Sequence, residues 1–189
     1  EDSQAILLLC SQLGLASGGE LKALTLREWN PLARKIAASD LKRPGALLGL
    51  TAQVLAQRLM VAKEDADRYA ALLARGGTLA LDLDRLESLG IRVLTRADAL
   101  YPNRYRQRLK DAAPAVLFGA GSIDLVGQPG LAVVGSRNLD EARQGFAEFI
   151  GAACARAGLI VYSGGARGTD AIAMGTALEA RGQAVGVLA

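Results

Sequence analysis

The chain has 189 residues, 51% hydrophobic and 22% charged, an ordinary globular composition with length for one medium domain or two small ones. It contains no histidine, which excludes Ser-His-Asp and Cys-His catalysis and every His-ligated metal site. The net charge of +3 is carried by residues 1–112, with 17 Lys/Arg against 13 Asp/Glu, while residues 113–189 hold 5 against 6; this permits a nucleic-acid partner without requiring one.

Residues 3–110 read as mainly helical. Ser3 is placed to cap a helix through Ile6, Leu7, Leu9, Cys10 and Leu13 that Gly14 ends, and Gly18 and Gly19 break the chain. Residues 25–28 (TLRE) fit a capping box with Thr25 at the N-cap and Glu28 at the third helical position. Pro31 would kink a helix running through it. Arg43, Pro44 and Gly45 form another break. Residues 51–58 and 63–75 predict two helices, and 79–89 a last one stopped by Gly90. Residues 91–94 predict a short strand, Tyr101 and Pro102 a turn, and 116–118 a second strand followed by a Gly-rich loop. Between them lies a basic stretch, 103–110, with Arg104, Arg106, Arg108 and Lys110. Lys42, Arg43 and Trp29 read as surface or packing features.

From Leu131 the pattern changes. Residues 131–134 form a short, uniformly apolar run, expected of a strand buried on both faces. Residues 141–157 carry apolar side chains at 146, 149, 150, 153, 154 and 157, a helical face ended by Gly158. A second strand at 159–162, a second helix at 169–181 stopped by Gly182, and a third strand at 184–188 complete two consecutive right-handed crossovers of a parallel sheet. Fourteen of the 22 glycines follow residue 112, where strand-to-helix turns must be tight, which puts the boundary between the two parts near residues 110–114. Aromatics make up only 4%, which limits how much base stacking the chain can offer. Cys10 and Cys154 lack a CxxC partner and lie in apolar segments, as buried free thiols of a reducing cytoplasm would. No apolar run approaches the roughly 20 residues of a membrane helix. The acidic start is unlike a signal peptide, so the expected location is cytoplasmic.

In such sheets ligands bind beyond the carboxyl ends of the strands. Two loops meet that condition: Gly135, Ser136, Arg137 and Asn138, and residues 163–170 (SGGARGTD). Each puts main-chain N–H groups at a helix start, where a phosphate is well held. The glycines allow close approach, Ser and Thr add hydroxyl donors, and Arg137 and Arg167 add guanidinium charge. Neither loop is GxGxxG and there is no GK[ST], so nicotinamide-dinucleotide and P-loop chemistry are not indicated. The plain alternative is that both loops are tight turns and nothing more.

The same residues carry a family likeness. LAVVGSR at 131–137 resembles the (V/I)-G-S-R motif that opens the Rossmann-like domain of the DprA/Smf DNA-processing family, and SGGARGTD at 163–170 resembles that family's S-G-x-A-x-G-x-D motif. The run at 182–189 (GQAVGVLA) resembles the strand that follows. Upstream, Gly90-Ile91, Tyr101-Pro102 and residues 114–118 (PAVLF) match the family's lead-in. The resemblance covers about residues 85–189. It implies an α/β, Rossmann-like parallel sheet, incomplete here, over 113–189. Before it come a connecting segment at 91–112 and a small all-α domain at 1–90, SAM-like or helix-hairpin-helix-like. It further implies a non-enzymatic binder of single-stranded DNA that loads a RecA-type recombinase in natural transformation or phage defence, with no cofactor and with a homodimer in the complete protein. The DNA backbone would lie in a basic pocket at the sheet's carboxyl edge. Carried over, Gly135, Ser136 and Arg137 would hold a phosphate, with Gly164, Arg167, Gly168 and Thr169 on the neighbouring wall. Asp170 would cap its helix, and Ser163 would serve either role.

The sequence departs from the family pattern at Gly165, where a bulky apolar residue is usual, and at Met174, where His is usual; Met174 reads as helix core with Ala171 and Leu178. It also stops at Ala189, short of the family domain, so it reads as truncated, with a sheet edge and apolar faces left uncovered. Arg104, Arg106 and Arg108, interleaved with Tyr101 and Tyr105, would flank the strand, or else form a solvated helix face. The competing function is a nucleotide-binding enzyme or sensor of the phosphoribohydrolase type (P-G-G-x-G-T-x-x-E), for which Ile172 stands where the catalytic Glu belongs and Asp170 would have to substitute. A third possibility is an inert interaction module.

Overall fold

A helix that is apolar on every side is stable only when surrounded. In the computed structural model, which describes residues 1–188, α1 (Asp2–Cys10) is such a helix: Ala5 through Leu9 are all buried. Ala189, the last residue of the family-like run, lies outside the described residues. By their contacts the residues form two units, Glu1–Ile123 and Asp124–Ala189.

In the first unit α1 is enclosed by α2 (Leu26–Ala38), α4 (Lys63–Leu73) and a 3-10 turn at Pro44–Leu47, with α3 (Ala52–Leu59) packed on α4. Trp29, Leu32 and Ile36 form the buried stripe of α2, and Leu55, Leu59 and Leu72 join the same core. α5 (Gly76–Ser88) leads into β1 (Ile91–Thr95), which pairs antiparallel with β2 (Val116–Ala120) in the register Ile91↔Ala120 to Thr95↔Val116. α6 (Asn103–Leu109) lies between those strands in sequence.

Local chemistry explains where the observed bounds differ from expectation. Ser3 is not the N-cap of α1; that position is Glu1, and the Ser3 hydroxyl donates to Asp98 instead. α1 ends at Cys10, with Ser11 as its C-cap, so Leu13 is outside it, and Gly14 (φ +70°) forms the following turn, where a Cβ would meet Thr78 Oγ1 at 2.7 Å. α5 begins at Gly76, three residues earlier than the apolar spacing suggests. Leu79 N–H bonds to Arg75 O at 3.0 Å, while the Arg75 guanidinium donates to the carbonyls of Leu72, Leu13 and Leu8; this tertiary anchor overrides the poor helix propensity of Gly76 and Gly77. The capping box forms: Glu28 N–H reaches Thr25 Oγ1 at 3.4 Å and Thr25 N–H reaches Glu28 Oε2 at 2.7 Å. Pro31 sits inside α2, which continues to Ala38 on the strength of its buried stripe.

The second unit is a three-stranded parallel sheet in the order β3-β4-β5: β3 (Gly130–Ala132), β4 (Ile160–Ser163) and β5 (Ala184–Gly186). Its registers are Gly130↔Ile160 and Val161↔Ala184. The crossovers are α7 (Glu141–Arg156) and α8 (Thr169–Glu179), which pack directly on each other. Only β4 is the doubly buried strand that both apolar runs suggested. β3 lies at the sheet edge with Leu131 43% exposed. The face of α7 differs as well. Of the predicted face, Cys154 is buried and Ile150 packs on the same core, but Phe146 and Phe149 are 64% and 59% exposed, and Ala147 and Gly151 are buried instead. A Cβ on Gly151 would lie 2.4 Å from Ala173 O, so this approach admits only small residues and turns the phenylalanines outward. Met174 is half-buried in the same core; its buried companions on α8 are Ala173 and Ala177, while Ala171 and Leu178 are exposed.

The Arg68 guanidinium and the Thr25 amide hold the Glu28 carboxyl down at about 2, against an ordinary 4.5. A carboxyl lowered in the folded state contributes stability that is complete above its unfolded value and lost as pH falls through the folded one. Glu28→Gln is therefore expected to cost about 1 kcal/mol near pH 6, the pair being partly exposed and screened. The deficit should shrink below pH 4.5 and disappear toward pH 2, as read by urea unfolding across that range.

Candidate nucleic-acid interface

β3 and β4 are neighbours, so the turns leaving their carboxyl ends lie side by side. The first turn leads into α7 and the second into α8. They touch at a seam that leaves no room for a Cβ on Gly135 or Gly168. Thr169 donates both its N–H (3.1 Å) and its hydroxyl (3.2 Å) to the carbonyl of Ser136. A Cβ on Gly135 would lie 2.4 Å from Thr169 Oγ1, and one on Gly168 would lie 2.3 Å from Ser136 O. Gly168 also has φ +91°, a conformation that favours glycine.

The seam consumes the hydroxyls that the sequence offered as anion donors. Ser136 Oγ donates to Asn138 O at 2.7 Å and accepts from Asn138 N–H at 3.2 Å, stiffening its own loop. Ser163, buried, donates to Val133 O at 2.8 Å and ties β4 to β3. With Thr169 bonded to Ser136, all three donate internally; for Ser136 and Thr169 this differs from the expectation that they face a ligand, and for Ser163 it is the structural one of its two expected roles. The loops still offer main-chain N–H groups: those of Ser136, Arg137, Gly165, Ala166, Arg167 and Gly168 have no acceptor among the described residues.

The guanidiniums differ from each other. Arg137 is exposed and makes no hydrogen bond or ion pair among the described residues. Arg167 reaches across to the first loop, where its Nη2 donates to Asn138 Oδ1 at 2.7 Å. Neither is in an ion pair with a carboxylate among the described residues. Of the nearby acids, Asp140 and Asp170 are engaged or withdrawn, while Glu141, in the first turn of α7, is exposed. Asp140 caps α7 by accepting Arg143 N–H at 2.9 Å and pairs with the Arg143 guanidinium at 3.1 Å. Asp170 is only 6% exposed. It does not cap α8, whose N-cap is Gly168 with no side-chain bond. It lies in the first helical turn, its Oδ2 against Gly164, where a carboxylate suits the helix dipole.

Beside the first loop an open depression of about 570 Å3 is lined by Leu131, Val134, Leu139 and Phe146, with Gly135, Ser136 and Thr169 at one side. Its lining is mainly apolar; Arg143 is its one basic residue, and Arg137 and Arg167 stand on the exposed loops beside it. No group of three or more His, Cys, Asp or Glu among the described residues could hold a metal ion.

Arg104, Arg106 and Arg108 lie on α6 in the first unit. Arg106 is turned inward: it donates to the carbonyls of Arg96 (2.8 Å) and Asp98 (2.6 Å) and stacks over Tyr101 at 5.2 Å. Tyr101, buried, donates to Pro114 O at 2.7 Å, so the Tyr-Pro turn is a packing element. Arg108 is exposed. Cys154 is buried, and Cys10 is half-buried with burial pushing its thiol up to about 12, which leaves it a poor nucleophile. Sequence reasoning assigned no role to Asn138, whose contact with Arg167 spans 29 positions and has no local signature.

A parallel α/β sheet crossed by α7 and α8, with two abutting, amide-rich turns at its carboxyl edge, is a Rossmann-like domain. The sequence model of DNA recombination-mediator protein A matches residues 92–189, and the chain belongs to that family. In fold it is similar to the X-ray structure of DNA processing protein A (DprA) from Streptococcus pneumoniae, with a TM-score of 0.55 and 21% identity, over 87% of this chain and 58% of that one. The chain therefore spans somewhat over half the length of that solved protein. A search of curated proteins finds no match.

The seam makes a direct stability prediction. Gly168→Ala adds a clash and a strained φ, and should destabilise the second unit by about 1–3 kcal/mol. Gly175→Ala, at a position with open space, should be neutral or better. Thermal unfolding of the two variants checks the contrast.

Proposed function

We propose that the chain binds single-stranded DNA by its phosphate backbone at the paired loops after β3 and β4, as the DNA-holding part of a recombination mediator. The observation that carries this reading is the seam: two turns fused by Thr169 and Ser136, with six of their amides and both guanidiniums lacking acceptor or carboxylate partners among the described residues, apart from the Arg167–Asn138 bond. Such a surface reads charge and spacing, not base identity, as a sequence-independent strand binder requires. Membership of the family supports it.

In the same reading the complete protein passes the strand to a RecA-type recombinase, acts as a homodimer, works in the cytoplasm and catalyses no reaction of its own. No helix among the described residues is long and apolar enough to cross a membrane. A phosphoribohydrolase-type activity would need a carboxylate presented to substrate. Ile172 occupies the expected position and Asp170 is withdrawn from the surface, which speaks against it.

Arg137→Ala is expected to weaken binding of a labelled oligothymidine about 3- to 10-fold and to reduce the slope of log affinity against log salt by about 0.7, one single-strand phosphate contact. Mixed-sequence strands should show the same loss. Fluorescence anisotropy across a salt series reads both quantities. An unchanged affinity and slope would remove Arg137 from the site.

A further inference from the structure

Asn138 occupies an unusual place in this edge: among the described residues it is the one side chain that joins the two loops by holding a charged group. Its main chain is fixed by the Ser136 hydroxyl, which bonds to both its N–H and its C=O. Its Oδ1 then receives Nη2 of Arg167 at 2.7 Å. The residue is exposed, so the contact does not serve to bury anything.

The chemistry of the acceptor matters. A carboxylate at this position would also orient Arg167, but it would cancel the charge a phosphate needs. A neutral amide oxygen uses one of the five guanidinium N–H donors and leaves the rest, with the full positive charge, available to an anion. The cost of ordering a long, flexible side chain is then met before the ligand arrives, which raises affinity without adding a contact. Arg137, by contrast, has no such support and must be ordered by the ligand itself.

We propose that Asn138 is a positioning residue for strand binding: it sets the direction of the Arg167 guanidinium at the seam while preserving its charge, and does not itself touch the DNA. This deepens the reading above and rests on it.

The test is a double-mutant cycle on the intact chain with a labelled oligothymidine, following affinity and salt slope together. Asn138→Ala should weaken binding about 3-fold, the order expected for losing one charge-assisted hydrogen bond at an exposed site. Arg167→Ala should weaken it further and lower the salt slope by about 0.7. If Asn138 acts through Arg167, the double variant binds as Arg167→Ala alone does. Asn138→Asp keeps the loop geometry but pairs with Arg167, so its slope should fall by as much as that of Arg167→Ala. Additive losses in the double variant, or a wild-type slope for Asn138→Asp, would overturn the proposal while leaving strand binding intact. A wild-type chain that binds no single strand overturns both readings, and is told apart because no variant then differs from it.

Discussion

Two backbone segments cannot approach closely while both carry side chains at the point of contact. At the edge of the parallel sheet this constraint is met by Gly135 and Gly168, and the space they leave lets Thr169 bond twice to the Ser136 carbonyl. Almost everything of chemical interest follows from that contact. It brings the first turn of α8 against the turn before α7, brings Arg167 within reach of Asn138, and turns the amides of both loops away from internal acceptors. The loss of hydroxyl donors to internal bonds is the other side of the same geometry: Ser136, Ser163 and Thr169 are used to build the edge.

The first unit obeys a different constraint. α1 is too apolar to have a solvated face, and the remaining helices are arranged to cover it. Its polar anchors are charged groups satisfied by main chain. Arg75 gathers carbonyls from three segments. Asp98 accepts from Ser3 and from Thr95. Burial alone would raise its carboxyl, and those bonds together with the Arg106 charge hold it below the usual range instead. Charge on this unit is thus partly structural, which is why the basic excess of residues 1–112 is a weak guide to where a polyanion would lie.

Elements with strong local signals were legible in the sequence. The capping box at Thr25 and Glu28, the helix stop at Gly90 and the strand-turn-helix pattern after residue 130 all appear where the residues suggested. What was not legible depended on distant partners. Ser3 looks like a cap, but its hydroxyl is drawn to Asp98, 95 positions away. Ile150 and Cys154 join the core as their spacing suggested, but Phe146 and Phe149 do not; at Gly151 the closeness of α8 selects for smallness over hydrophobicity. In the candidate site the glycines and arginines were readable from spacing. The internal use of the hydroxyls and the role of Asn138 were not, since both are set by which loop lies across the way.

The small-residue contact between α7 and α8 has a mechanical consequence. Each helix begins at one of the two loops, so their interlock at Gly151 and Ala173 ties the loops together from behind as the glycine seam ties them in front. The gap between the two turns is thus set twice, by the packing of the helices that leave them and by the loops' own contacts.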